Sequence, residues 1–325
     1  MRKTDPERDI RALLAMVLVI GLPAILTLAT VRAKPADASH TVDVSPYGYT
    51  VSLLLFLFPV LVLTALHMRA HRPNVHRRAL LWSAGAIALI GFLLDTVFGH
   101  AFFTFRNPGA TLGIRLPAWD WSTLAWAPAY LPVEEFAFYI LGSLFVIAVY
   151  LWANDEWLAD YDPDAHRERS RAVPKLIHLS WGALATWLVL LGLGFAVKRL
   201  GPHPDGFPGY FLFEMTLGFL PTFLFLRPIR DFVNWRAFGF AFGVLLLVSL
   251  IWEATLGVPY DWWNYKHEQM LGLRVVAWAD LPAEAVLLWL VIAWDCIIAF
   301  ELFRVFFHME RPVRHALLGA PERAS

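Results

Sequence analysis

The chain has 325 residues, of which 58% are hydrophobic and only 17% charged, and its formal net charge is zero. A water-soluble domain is about 45–50% apolar and about 25% charged, so this composition belongs to a membrane protein. Neutral charge offers nothing to nucleic acid. The sequence holds no Walker loop, no strand followed by GxGxxG and no Cys/His metal spacing, so no nucleotide, cofactor or metal is expected. The one cysteine, Cys296, lies in an apolar run and excludes an intrachain disulfide.

A helix needs roughly 20 mainly apolar residues to cross a bilayer. Eight stretches meet that length in chain order: 11–31, 49–67, 79–98, 132–153, 176–197, 210–226, 237–257 and 282–306. The expected fold is therefore all-α and integral to the membrane, with about eight spans. The first stretch has a rival reading as a signal peptide, because basic residues precede it and Ala36-Asp37-Ala38 could be a cleavage site. Its length and the acids Asp5, Glu7 and Asp9 favour an uncleaved helix. With eight spans, 19 of the 27 basic residues fall at the termini and in alternate loops on one side. Both termini are then cytoplasmic in a multi-pass cell-membrane protein, with loops 99–131 and 258–281 on the opposite side.

The chain repeats itself. Phe58-Pro59 recurs as Leu220-Pro221, and Arg78-Ala79 as Arg236-Ala237. Asp95 to Gly99 recurs as Glu253 to Gly257, Leu112-Gly113-Ile114-Arg115 as Leu271-Gly272-Leu273-Arg274, and Leu131-Pro132-Val133-Glu134 as Leu281-Pro282-Ala283-Glu284. Each unit has four helices, an even number, so the copies share one orientation as a parallel repeat. The division is an N-terminal helix and linker (1–48), a first repeat (49–153), a linker with an extra helix (154–208), a second repeat (209–307) and a cytoplasmic tail (308–325).

Asp95 and Glu253 close the third helix of each unit, and Glu134 and Glu284 open the fourth, so the duplication gathers four acids at one depth. Ionisable groups in a span are functional candidates by default. A carboxyl group in apolar surroundings can hold its proton at neutral pH and later donate it. The competing reading is helix capping: an acid in a first turn suits the macrodipole, and Pro132 and Pro282 stand where helices start. Glu135 has no counterpart, since Ala285 takes its place. Aromatic residues crowd the same region: Phe102, Phe103 and Phe105 in one loop, Tyr260, Trp262, Trp263 and Tyr265 in the other. Trp119, Trp121 and Trp126 lie in a nine-residue excess of the first loop. Interfacial belts explain such residues, and so do ring faces that stabilise a cation. Arg115 and Arg274 read either as partners of the acids or as interfacial anchors. The mixed run from Asp155 to Lys175 reads as a solvated linker.

With these residues in order, each half resembles the lycopene cyclase domain of the membrane-embedded, non-flavin carotenoid cyclases of bacteria, archaea and fungi. The resemblance rests on Asp95, Phe105 to Asn107, Thr111-Leu112-Gly113-Ile114 and Pro132-Val133-Glu134-Glu135-Phe136 in the first half. In the second it rests on Glu253, Trp263-Asn264, Leu271-Gly272 and Pro282-Ala283-Glu284. It covers about 49–153 and 209–306. It implies acid-initiated, non-redox ring closure of a linear polyene such as lycopene, without a cofactor. Glu134, with Glu135 beside it, would protonate the end group, and Asp95 or Glu284 would remove a proton, with Glu253 in the same acid set. Phe103, Phe105, Asn107, Trp262, Trp263 and Asn264 would bind the substrate. A proton-coupled transporter and a non-catalytic carotenoid-binding membrane subunit are the competing classes.

Overall fold

The computed structural model describes residues 46–54, 65, 74–158 and 161–319. The expected span at 11–31 and most of that at 49–67 lie outside the described residues. Residues 48–54 are helical. After them come α1 (Asn74–Phe102), β1 (Phe103–Thr104), a hairpin of β2 (Arg115–Asp120) and β3 (Ala125–Pro132), and α2 (Val133–Leu151). The chain continues through α3 (Pro163–Ala172), α4 (Trp181–Leu200), α5 (Gly209–Leu224), the short α6 (Leu226–Ile229) and α7 (Trp235–Trp252). It ends in β4 (Asn264–Tyr265), β5 (Arg274–Val275), β6 (Leu281–Pro282), α8 (Ala283–Met309) and α9 (Val313–Leu318).

Among the described residues, five helical stretches are long and apolar enough to cross a membrane: Val75–Phe102, Val133–Asp155, Trp181–Leu200, Trp235–Gly257 and Ala283–Met309. The protein is therefore a helical membrane protein. The stretch expected at 210–226 is a shorter apolar helix, Gly209–Leu224. Local signals set the starts. Asn234 Oδ1 accepts from Arg236 N and Ala237 N to begin α7, and Ser180 Oγ accepts from Ala183 N to begin α4. Wider turns of helix extend α2 over Trp152–Trp157 and α7 over Glu253–Gly257, a backbone irregularity that often accompanies functional sites.

α8 is the central post and packs on α1, α2, α3, α5 and α7. Its face is buried on most sides, with Ala285, Ala293 and Cys296 fully enclosed. Small residues allow close helix approach where lipid supplies no hydrophobic drive. A Cβ on Gly91 of α1 would stand 2.4 Å from the Tyr139 ring of α2, and one on Gly218 of α5 would stand 3.1 Å from Val291 of α8. α4 is the outlier. It packs chiefly on α5 and leaves most of its surface exposed.

The far end of α8 holds a buried ionic knot. Arg304 Nη2 lies 2.6 Å from both oxygens of Glu301, and both side chains are almost wholly enclosed. Tyr150 donates to Glu301 at 2.7 Å and accepts from Asn234 N at 3.0 Å. The guanidinium lies 4.5 Å from the centre of the Tyr161 ring. The run from Asp155 to Lys175 is accordingly more than a solvated linker. Its helix α3 packs on α8 and buries His166 and Ser170, with His166 Nδ1 3.1 Å from His308 Nδ1. Glu310 pairs with Arg167 and Arg171 at the exposed rim.

Candidate functional site

At the opposite end of the bundle, α1 and α7 finish where α2, α5 and α8 begin. The turns there fold alike in both halves. Arg115 faces Pro132 and Leu116 faces Leu131 across β2–β3; Arg274 faces Pro282 and Val275 faces Leu281 across β5–β6. Val133 N donates to Ile114 O at 3.0 Å, and Ala283 N to Leu273 O at 2.9 Å. Gly113 and Gly272 both take positive φ, +78° and +91°, which glycine adopts without steric cost. Glu134 Oε1 accepts from Leu112 N at 2.7 Å and from Thr50 Oγ1 at 2.5 Å, and Glu284 Oε1 accepts from Leu271 N. Each glutamate thus holds the loop before its own helix. Neither α2 nor α8 has a side-chain cap.

Between the halves lies a cavity with about 700 Å³ of free space including its open mouth. Three carboxyl groups line it: Asp95 from α1, Glu135 from α2 and Glu253 from the end of α7. Glu134 and Glu284 stand behind the wall, buried but outside the lining. Tyr49 donates to Glu135 Oε1 at 2.6 Å, and Tyr265 donates to Glu253 Oε1 at 3.1 Å. Asp95 receives no side-chain donor of this kind, and its Oδ2 has no hydrogen-bond partner among the described residues. Burial, then the adjacent Glu253 carboxyl, pushes the Tyr265 hydroxyl well above its ordinary pKa, so it stays a donor.

The remaining wall is aromatic. Trp252 and Trp263 pack at 4.8 Å between ring centroids, and Tyr49 lies 5.1 Å from Trp263 and 5.8 Å from Trp252. Phe138 sits edge-on to Trp289 at 5.7 Å. Phe103 and Tyr265 face each other in the short β1–β4 pair, which joins the two halves. Two glycines make room. A Cβ on Gly99 would come 2.4 Å from Asp95 Oδ1, and one on Gly257 would come 2.2 Å from the Trp263 ring. Glycine four positions after each acid therefore leaves the Asp95 carboxyl and the Trp263 ring where they stand. Ring faces of this kind attract cations by about 0.5–2 kcal/mol each.

Of the residues singled out in the sequence, Asp95, Glu135, Glu253, Phe102, Phe103, Phe105, Trp263 and Tyr265 line the cavity. Asn107, Trp262 and Asn264 do not. Asn107 Nδ2 donates to Tyr260 O and Asn264 Nδ2 to Asp261 Oδ1, so both fasten the loops. Trp262 is buried against Tyr49, with ring centroids 6.1 Å apart. Arg115 donates to Tyr130 O and Phe105 O, and Arg274 pairs with Asp280 at 2.6 Å, so neither is paired with the acids. Sequence reasoning missed Tyr49, Tyr210, Phe138, Tyr139, Trp252 and Trp289 in the lining, as well as Glu214, a fully buried acid of α5. A signal for two of them was present: Gly48-Tyr49 and Gly209-Tyr210 echo each other at an offset of 161 residues. Among the described residues no cluster of His, Cys, Asp or Glu suits a metal ion. No family model, no curated protein and no solved structure matches the chain.

Proposed function

We propose that the chain is a membrane-embedded cyclase of the lycopene cyclase type, closing rings on the end groups of a linear polyene. One observation carries the reading: three carboxyl groups, buried Asp95 and Glu253 and half-buried Glu135, converge on one aromatic-walled cavity inside a helical membrane protein. Ring closure of this kind is an isomerisation. A proton adds to the terminal double bond, the tertiary cation is attacked by an internal double bond of the same chain, and a neighbouring C–H gives up its proton to form the ring alkene. One acid and one base suffice.

The hydrogen bonds support a division of those roles: Glu135 and Glu253 each receive a tyrosine hydroxyl, which favours proton release relative to Asp95, and they are assigned the part of proton acceptors. Asp95 receives none and is the group suited to carry the proton in. Glu134 and Glu284 act indirectly, by fixing the loops that close the cavity. The preorganised ring faces stabilise the cation without reorganising water.

The proposal extends to the architecture. The matched turns, matched glutamates and matched glycines support two parallel four-helix repeats with about eight spans in all. The termini are assigned to the cytoplasmic side of the cell membrane and the cavity to the opposite face, in agreement with the placement of Lys and Arg. Expression in a lycopene-accumulating host tests the reading by chromatography of the pigments. The wild-type chain should convert lycopene to cyclic product, and Asp95→Asn should abolish conversion while the protein still inserts. An inserted wild-type protein that leaves the pigment unaltered overturns the cyclase reading, and undiminished ring formation by Asp95→Asn overturns the role of Asp95.

A further inference from the structure

The β2–β3 hairpin has no equal in the second half, where β5 and β6 hold two residues each. Its path is unusual for a loop between spans. From its base at Arg115 and Pro132 it runs back along α1 toward the bilayer. Asp120 reaches His100 at 3.4 Å, and Trp121 Nε1 donates to Val97 O at 2.9 Å. Ala118 is fully buried on the inner side. The candidate span Val75–Phe102 has 28 residues, or about 42 Å of helix against a hydrocarbon core of about 30 Å. Shared between both ends, the surplus leaves about 6 Å of helix beyond the core on this side. Val97 lies five residues in from Phe102, about 8 Å, and so at the edge of the hydrocarbon.

The tip is built for that depth. Trp121, Leu124 and Trp126 are 49%, 68% and 55% exposed. Leu124 takes φ +52°, a conformation that costs a branched side chain and that Gly or Asn would fill in a water-facing turn. The tip's polar side chains meanwhile bond to one another: Asp120 accepts from Ser122 N, Ser122 Oγ and Thr123 Oγ1 at 2.7–2.9 Å, which lowers the cost of lipid contact. Trp121 also stacks on Phe98 at 5.7 Å, and Phe98 lines the cavity.

We infer that the β2–β3 hairpin dips into the headgroup–acyl boundary of the bilayer, with Trp121, Leu124 and Trp126 as its lipid-facing anchors. The inference stands apart from the cyclase reading, since it needs only the membrane location of α1. Its test is a spin label on Leu124→Cys in liposomes of phosphatidylcholine and phosphatidylglycerol. The native Cys296 is fully buried and stays unlabelled. Leu193→Cys, on the exposed face of α4, gives the lipid reference, and Asp205→Cys, in the loop after it, gives the aqueous one. The label at 124 should lose relaxation by a water-soluble nickel chelate and keep relaxation by oxygen, as at 193. Relaxation by nickel like that at 205 overturns the inference. If the first variant does not insert, Thr123→Cys, measured the same way against the same two references, decides between lipid and water.

Discussion

Replacing Arg304 by Met should be among the most destabilising single changes in the described chain. Glu301 is fully buried and has two strong partners: Arg304 at 2.6 Å and the Tyr150 hydroxyl at 2.7 Å. His166 Nε2 stands farther off, at 3.7 Å. Removing the guanidinium leaves a buried carboxylate with one hydroxyl, and breaking a buried ion pair from one side costs about 3–5 kcal/mol. Removing both charges, as Glu301→Leu with Arg304→Met, strands no ion. Exchanging a buried pair for apolar residues is often neutral or favourable by about 1–4 kcal/mol. Here the exchange also deprives Tyr150 of its acceptor, about 1–3 kcal/mol. The double variant should therefore lie within about 2 kcal/mol of wild type and well above Arg304→Met alone. Unfolding in detergent, followed by circular dichroism, measures the double variant and each single one. If the losses of Arg304→Met and Glu301→Leu simply add in the double variant, within about 0.5 kcal/mol, the carboxylate is not stranded and the reasoning fails.

Two further outcomes follow from the geometry. Gly257→Ala would push a methyl against the Trp263 ring, which Tyr49 and Trp252 hold at 5.1 and 4.8 Å, so the ring cannot swing clear; a loss of about 1–3 kcal/mol in detergent unfolding is expected, with less cyclic pigment on the proposed cyclase reading, and an unchanged melt would show a softer wall. His166, outside the spans, is pushed by burial from about 6.5 down to about 4. The unfolded chain then takes up the proton first, so this stability is whole above pH 6.5 and is lost as pH falls toward 4, by about 3 kcal/mol. Stability curves of wild type and His166→Gln should converge over that window, and parallel curves would refute the assignment.

Apolar runs made the long helices legible, because twenty oily residues leave little choice of structure in lipid. The acid positions were legible for a different reason. Leu-Pro-x-Glu recurs because both glutamates do the same backbone job, holding the N–H of Leu112 or Leu271 before a glycine of positive φ. That echo marked loop anchors, the Asp95 and Glu253 echo marked cavity acids, and only geometry separates Glu134 from Glu135. The cavity wall was harder to read. Trp252, Trp289 and Phe138 sit inside apolar spans, where a ring facing a cavity and a ring facing lipid have the same local sequence. The hairpin escaped because Pro117 and Pro128 interrupt any strand pattern, and its register shifts between Leu116 and Ala118.

The order of synthesis gives the lining of the cavity one more consequence. Asp95 belongs to α1, whereas Leu288, Trp289 and Ile292 belong to α8, which leaves the ribosome after every other long helix among the described residues. Asp95 must therefore enter the translocon long before the walls that shelter it exist. A lone aspartate at mid-helix opposes insertion by about 2.5–3.5 kcal/mol, and the opposition weakens toward the ends. Seven residues from the end of α1, Asp95 is close enough to water to be tolerated during biogenesis, and deep enough to be sealed once α8 docks.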